Sequence, residues 1–296
     1  MEDAPWKSPA SSAATLAAAV ACVCFAAAIA WAASGGTASL GGIPIITWCV
    51  GLAFAIQWLA FVPAYLQETE RFYDLTGSLT YLVVTLLALF GARPIDARAA
   101  LIALLVVGWA CRLGIFLVRR IRAAGSDTRF DQIKSSPSRF FLAWTLQGLW
   151  VFLTLCAGLA AMTTVEAPAL KARDAVGLIL WVLGFAIEVA ADRQKTKFRR
   201  EHPGRFIDTG LWAWSRHPNY FGEILLWVGV ATIASSALRG WQWVTMISPV
   251  FVAVLLTRIS GIPILEKRAD ERWGDDPAYR RYKSDTPVLI PRPPHR

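Results

Sequence analysis

About eight stretches of roughly 17–28 residues run almost free of charge along this chain, and that spacing limits the fold more than any other feature. A helix needs about 20 apolar residues to cross a hydrocarbon layer some 30 Å thick. The stretches are Ser12–Ser34, Leu40–Leu66, Leu75–Gly91, Arg98–Val118, Phe140–Val165, Ala175–Ala191, Asn219–Ala237 and Trp241–Ile264. The third and sixth are short, so seven to nine crossings is the range and eight the central value. With 55% hydrophobic residues, 14 Trp and a mean hydropathy of +0.45, the chain is too apolar for an ordinary soluble domain. The expected fold is an all-α polytopic membrane bundle whose cytoplasmic loops form a cavity. No period of 20–50 residues repeats, so a single membrane domain over residues 12–291 is expected between mobile tails at 1–11 and 292–296. In the Pro-rich end from about residue 285, Leu289 and Ile290 could still dock back.

The net charge of +9 could suggest nucleic acid, but its distribution does not. Of the 30 Lys and Arg, 23 fall on the side of the spans that carries both termini, five on the other, and Arg112 and Arg258 within spans. That asymmetry places both termini and the motif-rich loops in the cytoplasm and suits an even number of crossings. The opening Met-Glu-Asp-Ala-Pro-Trp-Lys carries two acids against one Lys, so the first stretch reads as a retained helix and not a cleaved signal. Cys22, Cys24, Cys49, Cys111 and Cys156 all lie in apolar stretches without metal spacing, and His202, His217 and His295 form no paired-ligand pattern. Reduced, packed thiols and no metal are expected.

Charge inside an apolar span costs at least about 2.5 kcal/mol near its centre, so the polar residues at the span ends need a reason. Glu188 and Asp192 are four apart at the end of the sixth stretch, and Asn219 and Glu223 repeat that spacing at the start of the seventh. Arg199, Arg200, Arg205 and Arg216 crowd the segment between them. Arginine forks beside a helix N-terminus suit phosphates or a carboxylate. The alternatives are that the arginines only orient the protein or attract anionic lipid, and that Arg112 and Arg258 snorkel to headgroups. Acids and amides gathered at one depth favour a polar cavity open to the cytoplasm. No dinucleotide fingerprint of the soluble type is present.

Asp192 with Arg199, Gly204-Arg-Phe, Thr209-Gly-Leu-Trp, Ser215-Arg-His-Pro-Asn-Tyr-Phe-Gly-Glu223 and Tyr279-Arg-Arg-Tyr-Lys-Ser-Asp-Thr-Pro-Val-Leu-Ile-Pro291 resemble the C-terminal half of the steroid 5-alpha reductase superfamily. Phe72-Tyr-Asp-Leu-Thr-Gly-Ser-Leu-Thr80 and Trp109-Ala-Cys-Arg-Leu-Gly114 resemble its poorly characterised bacterial-type branch, and the likeness spans residues 70–291. The resemblance implies an integral membrane reductase that uses NADPH to transfer hydride to the enone of a lipophilic small molecule among membrane lipid, with no metal and no nucleic acid. It carries the cofactor positions onto Arg112, Glu188, Asp192, Arg199, Arg205, Arg216, His217, Asn219, Tyr220 and Glu223. Glu188 stands where steroid reductases have an Asn. In that family a Glu and a Tyr hydrogen-bond the substrate carbonyl. Here the expected Tyr is Trp109, which has no phenol proton, so Asp74 first and Glu68 second are the candidate acids, with Tyr73 or Tyr81 as donors. These acids could instead cap the third helix. The Arg-His-Pro-x-Tyr-x-Gly pattern with Glu266 and Tyr279/Tyr282 also resembles membrane methyltransferases of the isoprenylcysteine carboxyl type, which use S-adenosylmethionine. A lipid-binding protein with a decayed site is the third reading.

Overall fold

The computed structural model describes residues 12–92, 94–124, 130, 131 and 133–294. The expectations for the tail at 1–11, Arg93, the turn at 125–127 and His295 fall outside those residues. Among the described residues the regular structure is helical apart from one two-stranded hairpin and a single antiparallel bridge between Thr37 and Thr164. Seven described helical segments are long and apolar enough to cross a membrane: Ser12–Ala33, Ile45–Leu66, Tyr73–Gly91, Ala97–Arg119, Pro137–Thr163, Ala172–Glu201 and Gly240–Trp273. The seventh predicted stretch, Asn219–Ala237, forms a helix, Pro218–Ser235, but Pro, Asn and Glu in its first two turns keep it out of that set.

The chain divides into two compact units, one of residues up to 169 with 237–245, the other of residues 170–236 and 246–296. The first holds α1 (Ser12–Ala33), α2 (Ile45–Leu66), α3 (Tyr73–Gly91), α4 (Ala97–Ala124) and α5 (Pro137–Thr163). α5 touches each of the other four helices and is buried continuously from Val151 to Thr163. A helix apolar on every side suits this central position among other helices. Small residues let neighbours approach: a Cβ on Gly148 would lie 2.8 Å from the Phe54 ring. The predicted second span begins too early. Residues 39–44 are instead spent on antiparallel strands β1 (Ser39–Leu40) and β2 (Ile43–Pro44), turned by Gly41 and Gly42 at positive φ. Nor are all the cysteines packed, since Cys24 and Cys111 are exposed.

The motif from Phe72 to Thr80 is largely a packing device of this unit. Tyr73 donates to the Ala143 carbonyl (2.9 Å), Gln147 of α5 lies against Gly77, Gly114 of α4 faces Ser78, and buried Gln57 of α2 donates to Thr80 (2.8 Å). One helix therefore engages three others through small and polar residues.

The second unit is built on α6 (Ala172–Glu201) and α7 (Pro218–Ser235). A Cβ at Gly184 would lie 2.5 Å from the Gly222 carbonyl, and one at Gly177 2.7 Å from the Gly229 carbonyl. Rising numbers on one helix meet falling numbers on the other, so the pair is antiparallel with its backbones in contact. The basic run from Asp192 to Arg200, expected as loop, is the last turns of α6. Gln, Lys and Arg are good helix formers and nothing stops the helix before Pro203. The last predicted span is broken. A 3-10 stretch (Gly240–Met246), α8 (Ile247–Val254) and a π-helical turn (Leu255–Ile259) precede α9 (Ile262–Trp273) and α10 (Pro277–Asp285). Arg258, expected to point inward, is exposed on the π turn.

Candidate functional site

In the second unit the helical continuation of α6 places Glu188, Asp192, Lys195 and Arg199 on one face, at spacings of four, three and four. The Gly184–Gly222 contact fixes where that face begins: a Cβ on Gly222 would lie 2.7 Å from the Glu188 nitrogen. Glu188 is thereby set beside the first turns of α7, which carry Asn219, Tyr220 and Glu223. The Lys195 ammonium lies 4.3 Å over the Trp212 ring, whose indole donates to the Ala191 carbonyl (3.1 Å).

The loop from 202 to 217 is folded down by specific bonds. Gly210, at φ +63, brings the next amide to the Gln194 side chain (Leu211 N to Oε1, 2.9 Å), and a Cβ there would strike that same amide. The C-terminal segment, expected as a tail, runs across the loop as a strap. Arg216 N donates to the Pro287 carbonyl (2.9 Å), Ser215 Oγ to that of Leu289 (2.8 Å) and Arg292 N to that of Trp214 (3.0 Å). Phe206 packs among Trp273, Tyr279 and Tyr282, and Tyr282 donates to the Trp212 carbonyl (2.8 Å). Burial raises the Tyr282 phenol, and burial with the nearby Asp270 and Glu266 carboxylates pushes Tyr279 up to about 12, so both remain hydrogen-bond donors at neutral pH.

At the centre stands Glu266. One carboxylate oxygen meets His217 Nε2 at 2.8 Å, and the other meets Arg216 at 3.3 Å and Lys283 at 3.7 Å. Lys283 also pairs with Asp270, which accepts from Tyr279 (3.2 Å). Only 4% of His217 is exposed. Desolvation holds its pKa below the ordinary histidine value against the opposing pull of Glu266. The ring is therefore neutral at pH 7, and because a carboxylate can only accept, its proton sits on Nε2. Tyr220 stacks on the ring at 5.8 Å, and Ser215 Oγ accepts from the His217 amide (3.1 Å). Three buried polar atoms in this stretch have no hydrogen-bond partner among the described residues: Arg216 Nε, His217 Nδ1 and Asn219 Oδ1. Gln57, Thr85, Trp144, Gln147 and Trp181 each carry another such atom elsewhere among the described residues.

The expected cofactor positions thus divide. Glu188, Asp192, His217, Asn219, Tyr220 and Glu223 gather at the α6–α7 end. Arg199 lies on the same face but exposed, and Arg205 is exposed in the loop. Arg216, read as a phosphate fork, spends its terminal nitrogens on Glu266 and the Lys283 carbonyl (2.6 Å). Lys195 counted only as charge in the sequence, and Glu266 only in the methyltransferase comparison; their spacing from the motif gave no sign of contact.

Arg112 and the candidate acids belong to the first unit. Arg112 is half-buried, its guanidinium 5.5 Å over the Phe116 ring. Asp74 is half-buried in the first turn of α3, whereas Glu68 is exposed in the preceding loop at φ 47. The buried acid of that loop is Glu70, 4% exposed and 3.5 Å from Lys134, which the sequence reading passed over. Tyr81 and Trp109 are both buried and meet edge-on with ring centroids 5.0 Å apart.

Residues 60–286 match a family described as "Protein of unknown function (DUF1295)". An uncharacterised protein of Schizosaccharomyces pombe is 26% identical over 234 residues, covering 68% of this chain and 66% of that protein. The chain thus spans just under two thirds of that relative's length. No solved structure matches.

Proposed function

The chain belongs to the DUF1295 family of proteins of unknown function, and on that premise we propose that it is a membrane-embedded, NADPH-dependent reductase of an enone-type double bond in a lipophilic molecule. The observation that supports the reading is the gathering of Glu188, Asp192 and Lys195 on one face of α6 beside the first turns of α7, which carry Asn219 and Glu223. Polar side chains of both signs at the end of a helix pair suit a ligand with hydroxyl, amide and phosphate groups. Glu188 and Asp192 would accept from ribose hydroxyls, Lys195, Arg199 and Arg205 would face phosphate charge, and Asn219 would hold an amide. NADPH supplies the hydride when bound.

The residues that would polarise the substrate are Asp74 and Tyr81. Seven residues apart, they lie two turns along one face of α3. Exposure of Glu68 supports Asp74 as the acid, and edge-on packing against Trp109 holds the Tyr81 ring, so Trp109 serves as a positioning residue.

One observation favours the methyltransferase reading: His217 and Glu266, both singled out by that resemblance, meet at 2.8 Å. Thermal unfolding of the purified chain in detergent separates the two. At a hundred times its Kd, a ligand of the folded state stabilises by about 2.7 kcal/mol. NADPH is expected to raise Tm and S-adenosylmethionine is not; stabilisation by the methyl donor alone would remove the reductase reading.

A further inference from the structure

The first unit holds a cavity of about 250 Å3 where α1 and α5 end. Its wall is made by residues 35–36, residues 164–166, Arg239 and Gln242. Hydrogen bonds lock these segments together. The Val165 amide donates to the Gly36 carbonyl (3.1 Å), and Gln242, 1% exposed, donates to the Gly35 carbonyl (2.8 Å) while accepting from the Arg239 amide (2.9 Å). The buried amide thereby fixes the backbone from which Arg239 reaches the rim. There the guanidinium donates to the Glu166 carbonyl at 2.8 Å and lies 3.4 Å from the Glu166 carboxylate, both side chains being exposed. A cation and an anion thus stand side by side at one opening.

The surrounding indoles give its depth. Trp31, near the end of α1, and Trp241, in the 3-10 stretch next to Gln242, are each 80% exposed, and Trp243 is exposed as well. Exposed Trp in a membrane protein belongs at the level of the lipid headgroups, where one end of the ring is apolar and the other wet. The cavity is smaller than the roughly 300–1,000 Å3 of a site for a whole small molecule, so it suits a headgroup whose acyl chains stay outside against the indoles. A purely anionic headgroup would meet the Glu166 carboxylate beside Arg239 and be opposed by it; one that carries both charges satisfies both. The exposed Arg239–Glu166 pair is of a kind worth little, whereas charge-assisted bonds from guanidinium to phosphate and from ammonium to carboxylate are strong ones.

We propose that this cavity binds the headgroup of a zwitterionic phospholipid with a primary ammonium, its phosphate on Arg239 and its ammonium on Glu166. The site takes no residue from the α6–α7 face, so it stands or falls independently of the reductase reading.

Native mass spectrometry of the full chain, released from detergent micelles containing phosphatidylethanolamine or phosphatidylglycerol, measures the two affinities. Losing one charge-assisted bond weakens binding on the order of 10-fold, so the wild type should prefer phosphatidylethanolamine by about that factor. Glu166→Gln should bring the two lipids within about threefold, and Arg239→Gln should weaken phosphatidylethanolamine about 10-fold. Lys197→Gln, which removes an exposed charge of the other unit, should change neither. Should a rim variant fail to fold, the wild-type lipid series decides alone. Free phosphoethanolamine should bind at least about 10-fold more weakly than the lipid, having no chains for the indoles to meet; equal affinity would assign the cavity to a soluble ligand and overturn the proposal. Equal binding of the two lipids by the wild type overturns it too, as does an Arg239→Gln variant of undiminished affinity or an equal loss in Lys197→Gln.

Discussion

Replacing Gly222 with Ala tests the α6–α7 contact on which the whole site rests. The added Cβ would lie 2.6 Å from the Gly184 carbonyl oxygen, 2.7 Å from the Glu188 nitrogen and 3.1 Å from its Cα. Non-bonded atoms rest at roughly 3.5 Å or more, so the shortfall is about 1 Å. All three neighbours are backbone, so no side-chain rotation relieves them and the helices must part. Overpacking of this kind costs about 1–3 kcal/mol. Ala in place of Gly within a helix returns about 1 kcal/mol, leaving a net loss on the order of 1 kcal/mol. Gly108 of α4 and Gly51 of α2 are the controls, because a Cβ at either meets nothing within 4 Å. Gly108→Ala and Gly51→Ala should match or exceed the wild-type Tm in detergent, while Gly222→Ala should fall below it and lose NADPH affinity, since Asn219 is one turn away. A Gly222→Ala variant as stable as the two controls would refute the backbone contact and the placement of Glu188 that depends on it.

Glu266→Gln should cost about 2 kcal/mol through weakened bonds to His217 and Arg216, read as a lower Tm, and should free the imidazole to exchange its proton between nitrogens, read by NMR of ring-labelled histidine. The depressed His217 pKa predicts an acid-labile region. The neutral ring's stability is full above the ordinary value of 6.5 and is lost as pH falls through the folded value. Tm should therefore drop between pH 7 and 5 more steeply in the wild type than in His217→Gln, with Glu266, Arg216 and Lys195 unchanged around the site. Asn219→Ala and Arg199→Ala should each abolish NADPH binding while leaving far-UV circular dichroism intact; unchanged affinity in both would contradict the cofactor assignment. Gly77→Ala should be milder than Gly222→Ala, because the atom it meets, Gln147 Nε2 at 2.5 Å, ends a flexible side chain.

Much of the architecture was legible in order along the chain. Hydropathy alone marked the long helices, because each must by itself present about 20 apolar residues to lipid. Asn219 and Glu223 stood out through a one-turn spacing, and Gly274 and Pro277 correctly marked the break between α9 and α10. What misled was local. The charge run after Asp192 looked like loop although its residues favour helix, and Gly41-Gly42 looked like the start of a span although two glycines at positive φ make a hairpin turn.

By itself, then, the sequence determined that this is a helical membrane protein and which segment gathers its polar chemistry, since both follow from composition and short-range period. Tertiary structure decided what each charge does. Glu266 lies 49 residues from His217, and Lys283 lies 67 from Arg216, yet these four form one cluster. Only packing of α9, α10 and the strap onto the loop, and of α6 onto α7 through facing glycines, brings them together. A side chain's role depends on what surrounds it, and distances across the fold are not encoded in the spacing along it. That is why Arg216, in appearance a free phosphate fork, is a structural clamp, while its neighbour His217 keeps a bare nitrogen.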